Sequence, residues 1–501
     1  MDISQEVVDI IISFIDPEDR PKYVTVSRQW QNTIEPQTFK SVRVKSTELD
    51  YFARVYTPEH RRAVLGFIDY QIILPEYPLW KCTKLEKSKD QDANNEAFTK
   101  AIVDLFSILN SWETADSAGN RGGSPIKLQM SVRSPTDDPM KADRIDGDLG
   151  AFRWLDSVLK LLRPDDVKPV GRVTKLYWAE CQEDDFPEDP SMRDVDAAAI
   201  AAVATKLPKL EAAVWSLRDR EFPGTQPRYQ QRHDFAHQLS AIESKHLKRF
   251  VLCFLFNKPR NETFTIPSGL HPSDGPNDSL SVSLHKLSQA PELEYLFLGG
   301  HEESNMVLSP SVFWPEDSSS TPLWPSLQTV HVNISNTTPS GSWYFTGDEE
   351  DMERPLSRDP STTSPTAASE TELSENSETY FADTYHHHHA AVSRGDYPEL
   401  HFRTRLDSTM FNPLLKSIAK AVLRMPVLKR FNFAMMTPEE TEPIEWYFLE
   451  KGVKSYESEN PSLSETRRIM FVGGESEWSP DDELRSMWGE IVGEDGRIYY
   501  N

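Results

Sequence analysis

Pro291-Glu292-Leu293-Glu294-Tyr295-Leu296-Phe297-Leu298 is the stretch of the chain that decides the predicted fold. Its order, Leu-x-x-apolar-x-apolar, puts apolar side chains at Leu293, Leu296 and Leu298. Alternation over about six residues is typical of a β-strand with a buried face, and the proline indicates a turn before the strand. The stretch therefore predicts a turn followed by a short strand.

The same unit recurs along the chain, and helical periodicity precedes several copies. The copies are Leu210, Ala213 and Trp215; Leu247, Phe250 and Leu252; Leu327, Val330 and Val332; Leu428, Phe431 and Phe433; and, less regularly, Val173, Leu176 and Trp178. The helical segments are 194–207, 233–242 and 411–423. Repetition of helix, turn and strand predicts an α/β fold, an irregular α/β solenoid with parallel strands. It resembles a leucine-rich-repeat body without the Asn or Cys ladder position.

Composition divides the chain into four predicted segments. Residues 1–45 form a small helical module, and 46–345 the repeat body. Residues 346–396 are acidic, rich in Ser and Thr and without apolar periodicity, which predicts disorder. Residues 397–501 hold the last repeat and a C-terminal cap, with a helix expected to start at Ser479-Pro480.

The N-terminal module carries a wide apolar stripe. Val7, Val8, Ile11, Ile12 and Ile15 recur at helical spacing. A unit of about forty residues buries little core by itself. The stripe is therefore expected to dock either on the body or on a partner.

The order of residue types in this module resembles the F-box, by which substrate receptors join Skp-cullin-F-box ubiquitin ligases. Glu6-Val7 matches the family's Glu-Ile, Asp16-Pro17-Glu18-Asp19 its acidic turn, and Val26-Ser27-Arg28-x-Trp30 its Val-Ser-Arg-x-Trp ending. The chain departs from the family at Ser4, where Pro is usual, and at Arg20-Pro21, where an apolar residue is usual. The length and irregular body resemble fungal F-box proteins.

The resemblance implies binding to the Skp adaptor and, through it, to a cullin, with an unknown protein client on the body. The expected adaptor-binding residues are Ile3, Val7, Val8, Ile11, Ile12, Ile15, Pro17, Val26 and Trp30.

The charge and the cysteine content of the chain limit which classes of partner and which cellular compartment are expected. The chain has 54 basic and 79 acidic side chains, a net charge of −25, which argues against nonspecific binding to nucleic acid or anionic membrane. It has no apolar run long enough to span a bilayer and no signal-peptide pattern. Cys82, Cys181 and Cys253 lie far apart, which favours a reducing compartment, cytoplasmic or nuclear.

The sequence shows no recognisable catalytic constellation. The run His386–His389 lies in the predicted disordered segment without fixed geometry, and the carboxylate clusters lack calcium-loop spacing. We therefore expect no metal site, no cofactor and no enzyme.

Two other functions remain open. One is a non-catalytic scaffold whose F-box-like hairpin packs on its own repeats. The other is an enzyme whose site is assembled from residues distant in sequence.

Overall fold

The computed structural model describes most of the 501-residue chain. The described residues are 4–82, 84–117, 123–137, 153–154, 157–178, 193–219, 227–243, 245–275, 277–300, 304–315, 321–348, 392, 395–437, 443–454, 464–473 and 478–500. Ile3, the run His386–His389 and nearly all of the 346–396 segment lie outside them.

Helices and strands alternate along most of the described chain. The helices are α1 (Gln5–Ser13), α2 (Arg28–Thr38), α3 (Leu49–Val55), α4 (Glu59–Val64), α5 (Ser88–Ser117), α6 (Ala197–Ala204), α7 (Arg228–Ser240), α8 (Ser279–Ser288), α9 (Ser408–Val422) and α10 (Asp482–Val492). The strands are β1 (Ser41–Lys45), β2 (Phe67–Ile73), β3 (Ile126–Arg133), β4 (Val173–Trp178), β5 (Ala212–Arg218), β6 (Arg249–Asn257), β7 (Tyr295–Gly299), β8 (Ser304–Asn305), β9 (Thr329–Ile334), β10 (Phe345–Thr346), β11 (Arg405–Leu406), β12 (Arg430–Met436), β13 (Pro443–Leu449), β14 (Arg468–Val472) and β15 (Arg497–Tyr500). Among the described residues, no helix has the length and apolar character needed to cross a bilayer.

The chain divides into two compact units. Unit 1 comprises Met1–Ser216 and Ala241–Phe250, and unit 2 comprises Leu217–Ser240 and Val251–Asn501. In unit 1, β1 to β5 lie side by side in chain order, and each neighbouring pair is parallel. The prediction of an α/β fold with parallel strands is confirmed here.

One row of side chains shows where the core of unit 1 lies. Val44, Tyr70, Met130, Trp178 and Trp215 are register partners from β1 through β5. All five side chains are buried. The alternation in the sequence thus becomes a continuous apolar layer on one face of the sheet.

In unit 2 the strand pairing changes from parallel to antiparallel near the C-terminal end of the chain. Pairs β7–β9 and β9–β12 are parallel, whereas β13 is antiparallel to both β12 and β14. Strands β13 and β14 follow the last repeated unit, so the expectation of parallel strands, which concerns the repeated units, does not extend to them. Met436 and Pro443 are too close in sequence for a crossover connection, which takes about a dozen residues or more.

Five of the six copies of the repeated unit begin at a buried leucine, and the less regular copy begins at Val173, which is also buried. The amide N–H groups of Leu210, Leu293 and Leu428 donate to the carbonyl three residues earlier, which closes the turn before the strand. After Leu210, Leu293 and Leu327, the carbonyl of the next residue accepts from two successive N–H groups of the following unit. These acceptors and donors are Glu211 O with Lys248 and Arg249, Glu294 O with Gln328 and Thr329, and Gln328 O with Lys429 and Arg430, at 2.8–3.1 Å.

Predicted helix boundaries differ from the structure by a few residues, as α5 and α10 illustrate. The apolar spacing of Phe98, Ile102, Leu105 and Leu109 predicts a helix over 94–112. Helix α5 instead begins at Ser88 and continues to Ser117. Helix α10 is capped by Asp481, whose carboxylate accepts from Leu484 N at 2.9 Å, and Ser479 lies outside it. Gly493, with a φ of 74°, ends α10 as its position predicted.

The leucine of the repeated unit should be worth far more to stability than an exposed leucine nearby. We expect Leu293→Ala, at a fully buried position, to lower the free energy of unfolding by about 2–5 kcal/mol, because it leaves a cavity. Leu323→Ala, at a side chain 54% exposed, is the matched control and should change it by less than about 0.5 kcal/mol. Urea unfolding measures both, and equal losses would contradict the assigned role of the unit.

Candidate partner-binding surface

The N-terminal module is a pair of helices held together by a small apolar core. Val8 and Ile12 of α1 and Ile34 of α2 are buried together, and Val24 and Trp30 pack against them. Val8 and Ile12 were predicted to contact the adaptor. The structure instead places them inside the module, because α2 covers that side of α1.

The other apolar side of α1 is exposed. Val7 is 44% exposed, Ile10 58%, Ile11 38% and Phe14 85%. A helix turns about 100° per residue, so these four positions form a single stripe beside the buried one. We call Val7, Ile10, Ile11 and Phe14 the exposed stripe.

The remaining predicted contact residues have mixed surroundings. Val26 is 59% exposed and Pro17 is exposed, whereas Ile15 and Trp30 are half-buried. The ring of Trp30 lies 5.8 Å from that of Tyr23. The structure therefore leaves Val7, Ile11, Pro17 and Val26 accessible from the predicted set.

Sequence reasoning missed two members of the exposed stripe, Ile10 and Phe14. Both follow Val7 at i+3 and i+7, which is the signal that identifies them. Ile10, Ile11 and Ile12 are consecutive apolar residues, so periodicity alone does not assign each of them to one side of the helix.

Polar contacts fix α1 against α2. Gln5 Nε2 donates to Asp9 Oδ1 at 2.9 Å and to Thr33 Oγ1 at 2.6 Å. The Thr33 hydroxyl in turn donates to Asp9 at 2.5 Å. Hydrogen bonds from Thr33 and Gln5 lower the pKa of the Asp9 carboxyl. These contacts set the rotation of α1 and therefore the side on which the exposed stripe lies.

The module is anchored to the rest of unit 1 through α2. The buried carboxylate of Glu35 accepts from Arg61 Nη2 at 2.8 Å, and its other oxygen lies 2.7 Å from His60 Nε2. The Arg61 guanidinium also lies 4.3 Å from the centre of the Phe39 ring. The hydrogen bond from Arg61 is the main cause that lowers the pKa of Glu35 to about 2. These anchoring contacts lie on α2 and leave the exposed stripe of α1 open.

A groove of about 650 Å³ opens in unit 1 where β1, β2 and β3 end. The last residues of these strands, Lys45, Ile73 and Arg133, line it together with Glu76 and Ser134. Because the carboxyl ends of parallel strands commonly form ligand crevices, this groove is a second candidate surface.

No protein-family model matches the chain, and no curated protein matches it in sequence. The F-box resemblance therefore depends on the motif residues of the module alone.

The ionic anchor at Glu35 should make stability depend on pH in a defined window. Its folded pKa, about 2, lies below the ordinary 4.5, so the ionised carboxylate stabilises the fold above about pH 4.5. This contribution is lost as the pH falls through about 2. We expect Glu35→Gln to cost on the order of 2 kcal/mol at pH 7 and progressively less toward pH 3.

Urea unfolding at pH 7, 4 and 3 tests this expectation. Glu18→Gln, at an exposed side chain of the same module, is the control and should match the native chain at each pH. A Glu35→Gln deficit that stays constant with pH would contradict the ionic anchor.

Proposed function

We propose that this chain is the substrate-recognition subunit of a Skp-cullin-F-box type ubiquitin ligase. Its N-terminal module binds the Skp adaptor, and its α/β body binds a protein client. The observation that carries the proposal is the two-sided α1, whose Val8 and Ile12 form the module core while the exposed stripe remains uncovered.

Contact with a protein partner would be more favourable for the exposed stripe than contact with water. Burying one large aliphatic or aromatic side chain contributes roughly 1.5–3 kcal/mol. Burial of four neighbouring ones in an interface would therefore contribute a large free energy to binding. Spacing of i, i+3, i+4 and i+7 is the pattern by which a helix lays its apolar face into a groove of a partner. The position of the stripe within an F-box-like module supports the proposal that this partner is the Skp adaptor.

The body supports the same proposal through its repeated helix, turn and strand units, which we interpret as an irregular, leucine-rich-repeat-like solenoid. Such bodies present extended surfaces to other proteins. In this proposal the chain positions the client, and other subunits transfer ubiquitin, so the chain contributes effective concentration and orientation. The compartment proposed is the cytoplasm or nucleus.

A second candidate function is a scaffold whose hairpin only packs on its own body. The anchor of Glu35 to Arg61 favours it, because the module is fixed to unit 1 without any partner. The scaffold leaves the exposed stripe without a role, so the stripe distinguishes the two functions.

Acidic substitutions on the exposed stripe should abolish adaptor binding without unfolding the module. We expect the full chain to bind purified Skp adaptor, and Ile10→Asp/Phe14→Asp to weaken binding by at least about tenfold, because the variant places charges in an apolar interface. Both positions are exposed, so the circular dichroism and melting temperature of the variant should match those of the native chain.

Leu162→Asp is the matched control, since Leu162 is 48% exposed and lies in unit 1 outside the module. It should bind the adaptor as the native chain does. Equal binding by native chain and stripe variant, or no binding by the native chain, would overturn the receptor proposal, and the latter result would favour the scaffold.

A further inference from the structure

Two histidines and an aspartate converge in unit 2. His233 lies on α7, His271 directly precedes the single helical turn Pro272–Asp274, and Asp274 is the last residue of that turn. Their possible ligand atoms all lie within 4.8 Å of one another. His233 Nδ1 is 3.0 Å from Asp274 Oδ2, and the two imidazole rings stack with centres 4.4 Å apart.

Buried ion pairs hold the two elements that carry these side chains. Arg232, next to His233, is fully buried and pairs with Asp219 at 2.5 Å and with Asp278 at 3.0 Å. Asp278 caps α8 by accepting from Ser281 N and follows Asp274 by four residues. The backbone on both sides of the cluster is therefore fixed by the same charges.

Further contacts orient His271. Its Nε2 lies 3.0 Å from Gln230 Oε1, and Gln230 Nε2 donates to Asp234 at 2.9 Å. Its Nδ1 accepts from the Ser273 N–H at 3.2 Å. Metal-binding histidines commonly have such partners on their second nitrogen, which fix the ring and the tautomer.

We propose that His233, His271 and Asp274 bind one divalent transition-metal ion, with Zn²⁺ as the ion that fits them best. Two imidazole nitrogens and a carboxylate oxygen suit Zn²⁺ and leave a fourth position for water or a ligand from a partner. Nitrogen ligands disfavour Ca²⁺ and Mg²⁺, which take oxygen ligands.

Binding requires a small rearrangement of the cluster. Bonds of about 2.0–2.1 Å place the ligand atoms of tetrahedral zinc roughly 3.3 Å apart, so the three groups draw together. His271 exchanges one of its present hydrogen bonds for the metal, and the other continues to orient the ring. The site could not be predicted from the sequence because His233 lies 38 residues before His271, outside any zinc-motif spacing.

Zinc titration of the full chain against a chromophoric chelator tests the site. Every protein carries His386–His389→Ala, because a histidine run binds transition metals without a built site. We expect this parent chain to bind one equivalent of Zn²⁺, and His233→Asn and His271→Asn to weaken binding by at least about tenfold. His237→Asn is the matched control, since His237 is exposed and lies one turn further along α7.

Two additional measurements keep the test decisive. Zn²⁺ should raise the melting temperature of the parent and of His237→Asn but of neither ligand variant. Asp274→Asn preserves side-chain size and covers the case in which a histidine substitution disturbs the fold. No binding by the parent, or an unchanged affinity in Asp274→Asn and in whichever histidine variants fold, would overturn the site and show that these groups form an ion-paired cluster only.

Discussion

Three copies of the repeated unit, those at Leu210, Leu293 and Leu327, share one arrangement at the start of the strand. A leucine, such as Leu293, is buried, and the carbonyl of the next residue accepts N–H groups from two residues of the following unit. The leucine prevents the strand from sliding, since a shift of one residue would turn its apolar face to water. The doubly accepting carbonyl, as in Glu294, aligns the next strand in parallel. Together these interactions determine the register on which the buried rows of side chains depend.

The strands could be predicted because burial with a period of two is recorded locally in the sequence, and the parallel direction of most of them because helical segments recur between the strands. Val330 and Val332 are both buried, as the unit requires. The direction of β13 could not be predicted, because alternation is the same for parallel and antiparallel strands. Direction depends on the length of the connection and on which edge of the sheet is free.

The candidate surface was predictable only in outline. Periodicity in the sequence predicts that α1 is an apolar helix. Which of its side chains are buried and which are exposed depends on the position of α2, and contacts outside α1 determine that position. The placement of Ile34 against Val8 and Ile12 makes that division. The cluster around His233 was less accessible still, since its members meet only once α7 and the turn at 272–274 are packed.

The junction between the module and the sheet has a mechanical consequence. Helix α2 ends at Thr38 and β1 begins at Ser41, so Phe39 and Lys40 alone connect them, and Tyr56 donates to the Phe39 carbonyl at 3.1 Å. A connection of two residues that also carries this hydrogen bond limits the movement of α2 relative to β1. If α1 binds a protein, as we propose, that protein would be held at one orientation relative to the ends of β1, β2 and β3. The fold of unit 1 would then set the reach and the angle of the assembly.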